Sequence, residues 1–252
     1  MVYFVGAGSG AADLITVRGK GLLETADVII YAGSLVNPAL LDYAKPGCDI
    51  HDSAKMTLEQ VMDVTLAAEG KGLLVVRLHT GDPCLYGAIR EQMDVLVAHG
   101  VEYTVVPGVS SFCGAAAALQ AEYTLPEVSQ TVIITRMAGR TPVPERENIR
   151  TLASHGSTMV IFLSTGLIPQ LVEELLAGGV YTESTPAALV YKATWPDEKV
   201  MRCTLGTLAQ TAQENNITKT ALITVGDFLA GDYARSKLYD PTFTTEFREA
   251  SK

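Results

Sequence analysis

The feature that most constrains the fold is a regular alternation between short apolar runs and stretches with helical periodicity. The first half contains four apolar runs of strand length: VYFV (2–5), DVIIYA (27–32), GLLVVRL (72–78) and EYTVV (102–106). Helical patterns lie between them, near residues 57–69 and 86–99. Strands that are apolar almost throughout are typical of a parallel sheet covered by helices on both faces. The pattern therefore predicts an α/β fold with a mainly parallel sheet.

The pattern changes at VVPGVSSFCGAAAALQ, where a Pro-Gly turn and a serine pair precede a helix of small residues. Five further apolar runs follow: TVIIT (131–135), STMVIFLS (157–164), AALVYKA (187–193), EKVMRCT (198–204) and TALITVG (220–226). Helical patterns lie near 166–177 and 206–215, and several adjacent strands are suited to antiparallel pairing. We expect an N-terminal α/β domain at 1–108, a C-terminal α/β domain with a mixed sheet at 109–240, and a polar tail at 241–252.

Composition excludes several classes of function. The chain has 252 residues, of which 48% are hydrophobic, and a formal net charge of −9. A nucleic-acid surface would need a basic face, so no nucleic-acid partner is expected. No apolar run approaches the roughly 20 residues of a membrane span, and no signal peptide precedes the first strand, so a cytoplasmic location is expected. The four cysteines and four histidines lack metal-ligand spacing, so no protein-held metal is expected.

The segment VYFVGAGSGA (2–11) places a glycine cluster directly after the first strand. Gly6, Gly8 and Ala11 fit the G-x-G-x-x-G/A pattern of dinucleotide-binding loops. That pattern also requires an acidic residue at the end of the second strand, where this chain has YAG (31–33). The next helix is also delayed, with Thr16 as its predicted N-cap. The cluster alone is compatible with another ligand, or with a tight turn that binds nothing.

A second loop, RLHTGDPCLYGAI (77–89), follows another predicted strand. Gly81, Asp82 and Pro83 therefore lie at the carboxyl end of that strand, where ligands bind in open α/β sheets. A turn that caps the next helix, with Asp82 as N-cap, explains the same residues. Two glycine loops together with the PGVSS segment are much more specific than either loop alone.

This combination resembles the tetrapyrrole methyltransferase family, over residues 2–229. Five segments look most like the precorrin-4 C11-methyltransferases of cobalamin biosynthesis: YAGSLV (31–36), HDSAKMTLEQ (51–60), RLHTGDPCLYGAI, TRMAGRTPVPE (135–145) and YKATWPDEKV (191–200). The resemblance implies two α/β/α domains with the cofactor and substrate cleft between them, and a homodimer. It also implies methyl transfer from S-adenosylmethionine to C11 of precorrin-4 or cobalt-precorrin-4, with S-adenosylhomocysteine as the second product.

Two positions depart from the family pattern. Relatives usually carry Gly-x-Gly-Pro-Gly in the first loop, whereas this chain has Ser9 in place of the proline and so lacks its preset φ. Relatives that methylate uroporphyrinogen end the second strand with Tyr-Asp, and Ala32 replaces that acid here. The second departure argues against the uroporphyrinogen reaction.

The resemblance implies that S-adenosylmethionine contacts mostly backbone groups and small side chains. The implied cofactor-binding residues are Gly8, Ser9, Gly10, Thr80, Gly81, Asp82, Leu85, Ser110, Ser111, Leu163, Ala193 and Thr220. Candidate ligands for substrate carboxylates are Lys55, His79 and Lys192.

Methyl transfer from a sulfonium needs alignment of the two reactants and exclusion of water, so no catalytic side chain is predicted. A macrocycle with many carboxylates does need cations, and Arg forks suit carboxylates better than Lys. Arg136 and Arg140 are the preferred candidates because they lie in a glycine-containing loop after a strand. Arg146 and Arg150 occur among glutamates and are more typical of a solvated helix face.

Three alternatives remain open at this stage. The first is another reaction of the same family, at a different macrocycle carbon or on diphthine, which the TRMAGRTPVPE segment disfavours. The second is a nicotinamide-dependent oxidoreductase, which the missing acid after the second strand disfavours. The third is a ligand-binding protein without catalytic activity, because the chemistry has no diagnostic nucleophile.

Overall fold

The computed structural model of the chain describes residues 1–33 and 35–251. Ser34 of the YAGSLV segment and Lys252 of the expected tail lie outside the described residues. The chain divides into two compact units, of which the first comprises Met1–Ala115 together with Lys192–Glu198. The second comprises Ala116–Tyr191 and Lys199–Lys252. The first unit thus extends beyond the boundary expected at residue 108 and includes a short segment from the C-terminal half.

The first unit is built on a parallel sheet, as the continuous apolar runs predict. Its five described strands are β1 (Val2–Gly6), β2 (Val28–Tyr31), β3 (Asp49–Asp52), β4 (Val75–His79) and β5 (Tyr103–Val106). Their order is β3-β2-β4-β1-β5, and every neighbouring pair is parallel. The α-helices in this part of the chain are α1 (Val17–Thr25), α2 (Leu58–Glu69), α3 (Arg90–Ala98) and α4 (Ser111–Leu119).

Local sequence signals explain most of these bounds. The Thr16 side chain accepts a hydrogen bond from the Gly19 amide and caps α1, as predicted. Helix α3 begins at Arg90, later than the helical pattern near 86 suggested. Tyr86 and Ala88 have φ values of 55° and 49°, in the left-handed region, so neither residue can belong to a right-handed helix and α3 begins after them.

The second unit contains a mixed sheet, which confirms the antiparallel pairing expected from its adjacent apolar runs. Its five described strands are β6 (Val132–Arg136), β7 (Thr158–Phe162), β8 (Pro186–Tyr191), β9 (Lys199–Thr204) and β10 (Ala221–Val225). The order is β6-β7-β10-β8-β9, with β6 and β7 parallel and the other neighbours antiparallel. The remaining α-helices are α5 (Ile149–Ala153), α6 (Ile168–Ala177) and α7 (Leu208–Glu214), and short 3-10 helices occur in the connecting segments.

Each unit buries its own apolar residues. In the first unit, Val5, Ile29, Val76 and Leu78 of the parallel strands are fully buried in one core cluster. In the second, Ile161, Leu189 and Ile223 are fully buried with residues from α6 and α7. Among the described residues, no helix is both long and apolar enough to cross a bilayer. Nor does this described part contain a group of three or more His, Cys, Asp or Glu placed to hold a metal ion.

Candidate active site

The two glycine loops that the sequence singles out are hydrogen-bonded to each other. Gly8 and Gly81 form an isolated antiparallel bridge, with the Gly8 amide 3.2 Å from the Gly81 carbonyl oxygen and the Gly81 amide 3.0 Å from that of Gly8. Both residues have positive φ, 83° at Gly8 and 59° at Gly81, a conformation that favours glycine. The loops after β1 and β4 therefore form one structure at the carboxyl edge of the parallel sheet.

A third glycine, Gly108, follows β5 and packs against both loops. A Cβ atom added to Gly108 would lie 2.3 Å from the Gly81 carbonyl oxygen and 2.7 Å from the Gly6 Cα. These contacts are with backbone, which cannot move aside as a flexible side chain can. Three neighbouring strand ends thus approach each other closely only because glycine occupies these positions.

Asp82 ties these segments together with both of its carboxylate oxygens. Oδ1 accepts a hydrogen bond of 2.8 Å from the Cys84 amide, and Oδ2 accepts one of 2.9 Å from the Gly108 amide. Burial by itself would raise the pKa of the Asp82 carboxyl, but the hydrogen bonds from Cys84 and Gly108 outweigh it and hold that pKa below its ordinary value. The carboxylate is therefore a fixed acceptor for two loops.

Ser9, the departure from the family's proline, has a specific partner in this chain. Its hydroxyl oxygen lies 3.1 Å from Oγ1 of Thr194, which also accepts a hydrogen bond of 2.9 Å from the Ala11 amide. Gly10 packs against the same segment, since an added Cβ would lie 2.2 Å from Cδ1 of Trp195. The serine hydroxyl thus connects the first loop to the Lys192–Glu198 segment.

The other predicted cofactor-binding residues of the first unit border this structure in sequence. Ser110 and Ala193 are 6% exposed, whereas Ser111 and Leu85 are half-buried. The Thr80 hydroxyl donates a hydrogen bond of 3.2 Å to the Leu35 carbonyl. Helix α4 starts at Ser111, and its Gly114 packs against Ser9, where an added Cβ would lie 2.6 Å from the serine Cβ.

The predicted substrate-binding residues of the first unit, two lysines and a histidine, differ in their surroundings. The Lys55 side chain is 83% exposed, with Nζ 3.6 Å from Asp52. The Lys192 ammonium lies 2.6 Å from Asp197 and 5.1 Å from the centre of the Trp195 ring. His79 is 4% exposed and lies on β4 with a second buried basic residue, Arg77, that the sequence analysis did not single out. The sequence signal for Arg77 is a lone arginine inside the apolar run GLLVVRL.

His79 makes a pH-dependent contribution to stability. Burial, together with the neighbouring Arg77 charge, lowers the pKa of His79 to about 3. The unfolded chain binds a proton below the ordinary value of 6.5, whereas the folded chain does not, so stability falls as pH decreases from about 6.5 towards 3. We expect His79→Gln to remove about 1.4 kcal/mol per pH unit from this dependence. Urea unfolding at several values between about pH 5 and pH 6 measures it, and equal slopes for both proteins would contradict it.

Two predicted cofactor-binding residues of the second unit have strained backbone. Leu163, directly after β7, has φ 53° and is 66% exposed, and Thr220, directly before β10, has φ 59°. Ile161 of β7 pairs with Ile223 of β10, so the antiparallel register brings Leu163 and Thr220 to the same end of adjacent strands. Left-handed conformations are costly for such residues and cluster at functional sites. The two residues therefore place strained backbone at the same end of β7 and β10.

Arg136 and Arg140, the preferred candidates for binding substrate carboxylates, differ in the contacts of their guanidinium groups. The Arg136 guanidinium donates hydrogen bonds to the carbonyls of Met137 (3.1 Å), Thr141 (3.0 Å) and Pro142 (2.9 Å). It therefore closes its own loop. Arg140 lies at the exposed tip of that loop, where its guanidinium is accessible.

Comparison with known proteins places this chain in a family. Residues 1–209 match the Tetrapyrrole (Corrin/Porphyrin) Methylases. The chain belongs to this family, which confirms the resemblance and the expected pair of α/β domains.

Individual relatives are similar over the whole chain. The cobalt-precorrin-4 C(11)-methyltransferase of Methanocaldococcus jannaschii is 54% identical over 252 residues, which is 100% of this chain and 97% of the relative. A protein of the same name from Priestia megaterium is 48% identical and covers 100% of this chain and 98% of its own length. The crystal structure of a cobalt-precorrin-4 methyltransferase superposes with a TM-score of 0.87 at 48% identity, over 90% of this chain and 95% of that one.

A solved structure with a bound nucleoside is also similar. The uroporphyrin-III C-methyltransferase of Thermus thermophilus, complexed with S-adenosylhomocysteine, superposes with a TM-score of 0.75 at 26% identity. The match covers 91% of this chain and 98% of that chain.

Proposed function

We propose that the chain transfers a methyl group from S-adenosylmethionine to C11 of precorrin-4 or cobalt-precorrin-4, in cobalamin biosynthesis. One observation carries the proposal: a chain that aligns end to end with a cobalt-precorrin-4 C(11)-methyltransferase has its two predicted cofactor loops bonded to each other at Gly8 and Gly81. The same alignment disfavours the other reactions of the family.

The chemistry of the proposed cofactor residues fits a sulfonium better than a dinucleotide. The twelve predicted positions supply backbone groups, hydroxyls and apolar surfaces, and the acidic residue that a dinucleotide site needs at the end of the second strand is absent, since that strand is followed by Ala32 and Gly33. Their one ionisable side chain is the Asp82 carboxylate, whose lowered pKa keeps it negative near neutral pH. When bound, S-adenosylmethionine supplies an electrophilic methyl group.

The residues of this chain need only bind and orient in this reaction. The hydrogen bonds of Asp82 and the close approach of Gly6, Gly81 and Gly108 hold the loop backbone in one geometry. The loops are therefore in position before any ligand binds. An electron-rich macrocycle carbon attacks without a protein nucleophile, so no side chain is assigned a covalent role. Leu163 and Thr220 remain proposed cofactor contacts of the second unit, supported by their strained backbone.

The proposed binding of substrate carboxylates by Arg136 and Arg140 is tested best at Arg140, because Arg136 also organises its own loop. We expect Arg140→Ala to weaken binding of the macrocycle by about 1.5–3 kcal/mol, roughly tenfold or more, and to leave S-adenosylmethionine affinity unchanged. Calorimetry measures both affinities. Arg146→Ala is the matched control, since Arg146 is exposed on the same segment and its Nε lies 3.5 Å from Glu147. Equal macrocycle affinity in the two variants would overturn the role of Arg140.

Product analysis tests the reaction itself. The purified chain is incubated with the proposed macrocycle, with and without cobalt, and with S-adenosylmethionine carrying a ¹³C-methyl group. We expect one added methyl by mass and its position at C11 by NMR. Methylation at another carbon, or no methylation of either macrocycle, would overturn the proposal. NAD is the comparison ligand in calorimetry, and NAD binding without S-adenosylmethionine binding would favour an oxidoreductase.

The family resemblance further suggests a homodimer. Light scattering at working concentration measures the mass directly, and a monomer would contradict this part of the proposal.

A further inference from the structure

The first unit contains a cavity of about 250 Å³ against strand β4. Arg77 and His79 both line it, since side chains two residues apart on a strand project from the same face. The two side chains are deeply buried, with 7% of Arg77 and 4% of His79 exposed. A buried arginine beside a buried histidine is an unusual lining for a cavity and requires an explanation.

Arg77 is held rigidly by three neutral acceptors. Its Nε donates to Gln92 Oε1 at 3.0 Å, its Nη1 to the Ile30 carbonyl at 2.8 Å, and its Nη2 to Ser53 Oγ at 3.1 Å. Further hydrogen bonds orient two of these acceptors. Gln92 Nε2 donates to the Ala88 carbonyl, and the Ser53 hydroxyl donates to the Tyr31 carbonyl. The guanidinium is therefore fixed in position without any ligand.

The charge of Arg77 is not balanced by the residues around it. Within the described residues, no carboxylate forms an ion pair with it at 4.0 Å or less. The one acid among the cavity-lining residues, Glu91, has an exposed side chain. A buried charge without a partner of opposite sign is costly. Burial lowers the pKa of Arg77 to about 10, so the side chain is still cationic near neutral pH.

The unused donors match a carboxylate. A guanidinium has five N–H groups, and the three bonds described leave one on each terminal nitrogen, which is the number that a bidentate carboxylate accepts from. In addition, His79 Nε2 is buried and has no hydrogen-bond partner in the part of the chain that the structure describes. A neutral imidazole can donate a further hydrogen bond from this atom.

We propose that this cavity is a subsite for one carboxylate side chain of the macrocyclic substrate, in which Arg77 binds both oxygens and His79 Nε2 donates a hydrogen bond. The inference rests on the proposed function, which supplies a substrate with acidic side chains. Arg77 and His79 act in binding and specificity here, and neither takes part in the bond changes of methyl transfer.

Replacing Arg77 by lysine tests whether the planar pair of N–H donors matters beyond the positive charge. Arg77→Lys keeps the cation but loses the planar donor pair, so we expect KM for the macrocycle to rise at least tenfold, with S-adenosylmethionine affinity unchanged. Arg90→Lys is the matched control, because Arg90 lies on the neighbouring helix with its side chain 83% exposed. An unchanged KM in Arg77→Lys, in a chain that still methylates the macrocycle, would overturn the subsite and leave the proposed function intact.

A second measurement does not depend on turnover. Histidine-selective ¹⁵N labelling reports on four imidazoles, and the wild-type chain is titrated with sodium propionate up to about 100 mM against sodium chloride. We expect the His79 resonances to shift with propionate only, and those of exposed His155 to be unaffected. The propionate titration tests the carboxylate subsite even if Arg77→Lys does not fold or if no macrocycle is methylated. Absence of a propionate-specific shift at His79 would then overturn the proposal.

Discussion

Gly108→Ala is expected to lower the free energy of unfolding by about 3 kcal/mol and to reduce S-adenosylmethionine affinity at least tenfold. The added Cβ would lie 2.3 Å from the Gly81 carbonyl oxygen and 2.7 Å from the Gly6 Cα, so one of three strand ends must move. Because the backbone of Gly81 is hydrogen-bonded to that of Gly8, this movement displaces both proposed cofactor loops. Urea unfolding and calorimetry measure the two effects separately.

Gly21→Ala provides the control for this experiment. Gly21 lies inside α1, and a Cβ atom there would meet no other atom within 4 Å. Since alanine favours a helix over glycine, we expect this variant to be stabilised by about 0.5–1 kcal/mol, with unchanged ligand affinity. If Gly108→Ala were as stable as Gly21→Ala, the close approach of the three glycine segments would be wrong.

Removing the Asp82 carboxylate is expected to have the second largest effect. Asp82→Ala leaves the amides of Cys84 and Gly108 without their acceptor, and each is a charge-assisted bond. We expect a loss of about 2 kcal/mol in stability and weaker S-adenosylmethionine binding, because the loop is no longer fixed. Urea unfolding and calorimetry apply again, and unchanged cofactor affinity would contradict the role of Asp82 in shaping the loop.

Asp82→Asn tests whether the carboxylate is also a general base. The amide keeps one accepting oxygen and replaces the other by an NH₂ group, so this variant should lose part of the stability that Asp82→Ala loses. A base for neutral pH needs a pKa near 7, whereas the hydrogen bonds hold that of Asp82 below its ordinary value. We therefore expect Asp82→Asn, saturated with both ligands, to retain most of its single-turnover rate. A loss of more than about a thousandfold would identify Asp82 as a base.

The sequence predicted the central strands well and the sheet edge poorly. Apolar runs such as VYFV and TALITVG became β1 and β10, because continuous burial leaves a clear signal. The edge strand β3, with the sequence DIHD, was missed because only one neighbour pairs with it and its polar residues are partly exposed. The start of α3 was also missed, since positive φ at Tyr86 and Ala88 is set by the loop's packing and leaves no pattern.

The site was predictable in its backbone and less so in its polar side chains. Glycine spacing identified the loops that meet at Gly8 and Gly81. It could not identify Thr194 as the partner of Ser9, because a hydrogen bond between residues so distant in sequence is made only by the fold. Arg77 was overlooked because a charged residue in an apolar run was interpreted as part of a core strand, although burial with neutral partners is what makes it distinctive.

The Lys192–Glu198 segment has a consequence for how the protein is made. Thr194 lies 185 residues after Ser9, yet its hydroxyl belongs to the first unit. On the ribosome the N-terminal sheet can form early, but its first glycine loop lacks this partner until most of the chain has emerged. At a synthesis rate of about 5–20 residues per second, Thr194 follows Ser9 by roughly 10–40 s. During synthesis, the first glycine loop is therefore among the last parts of the N-terminal unit to be completed.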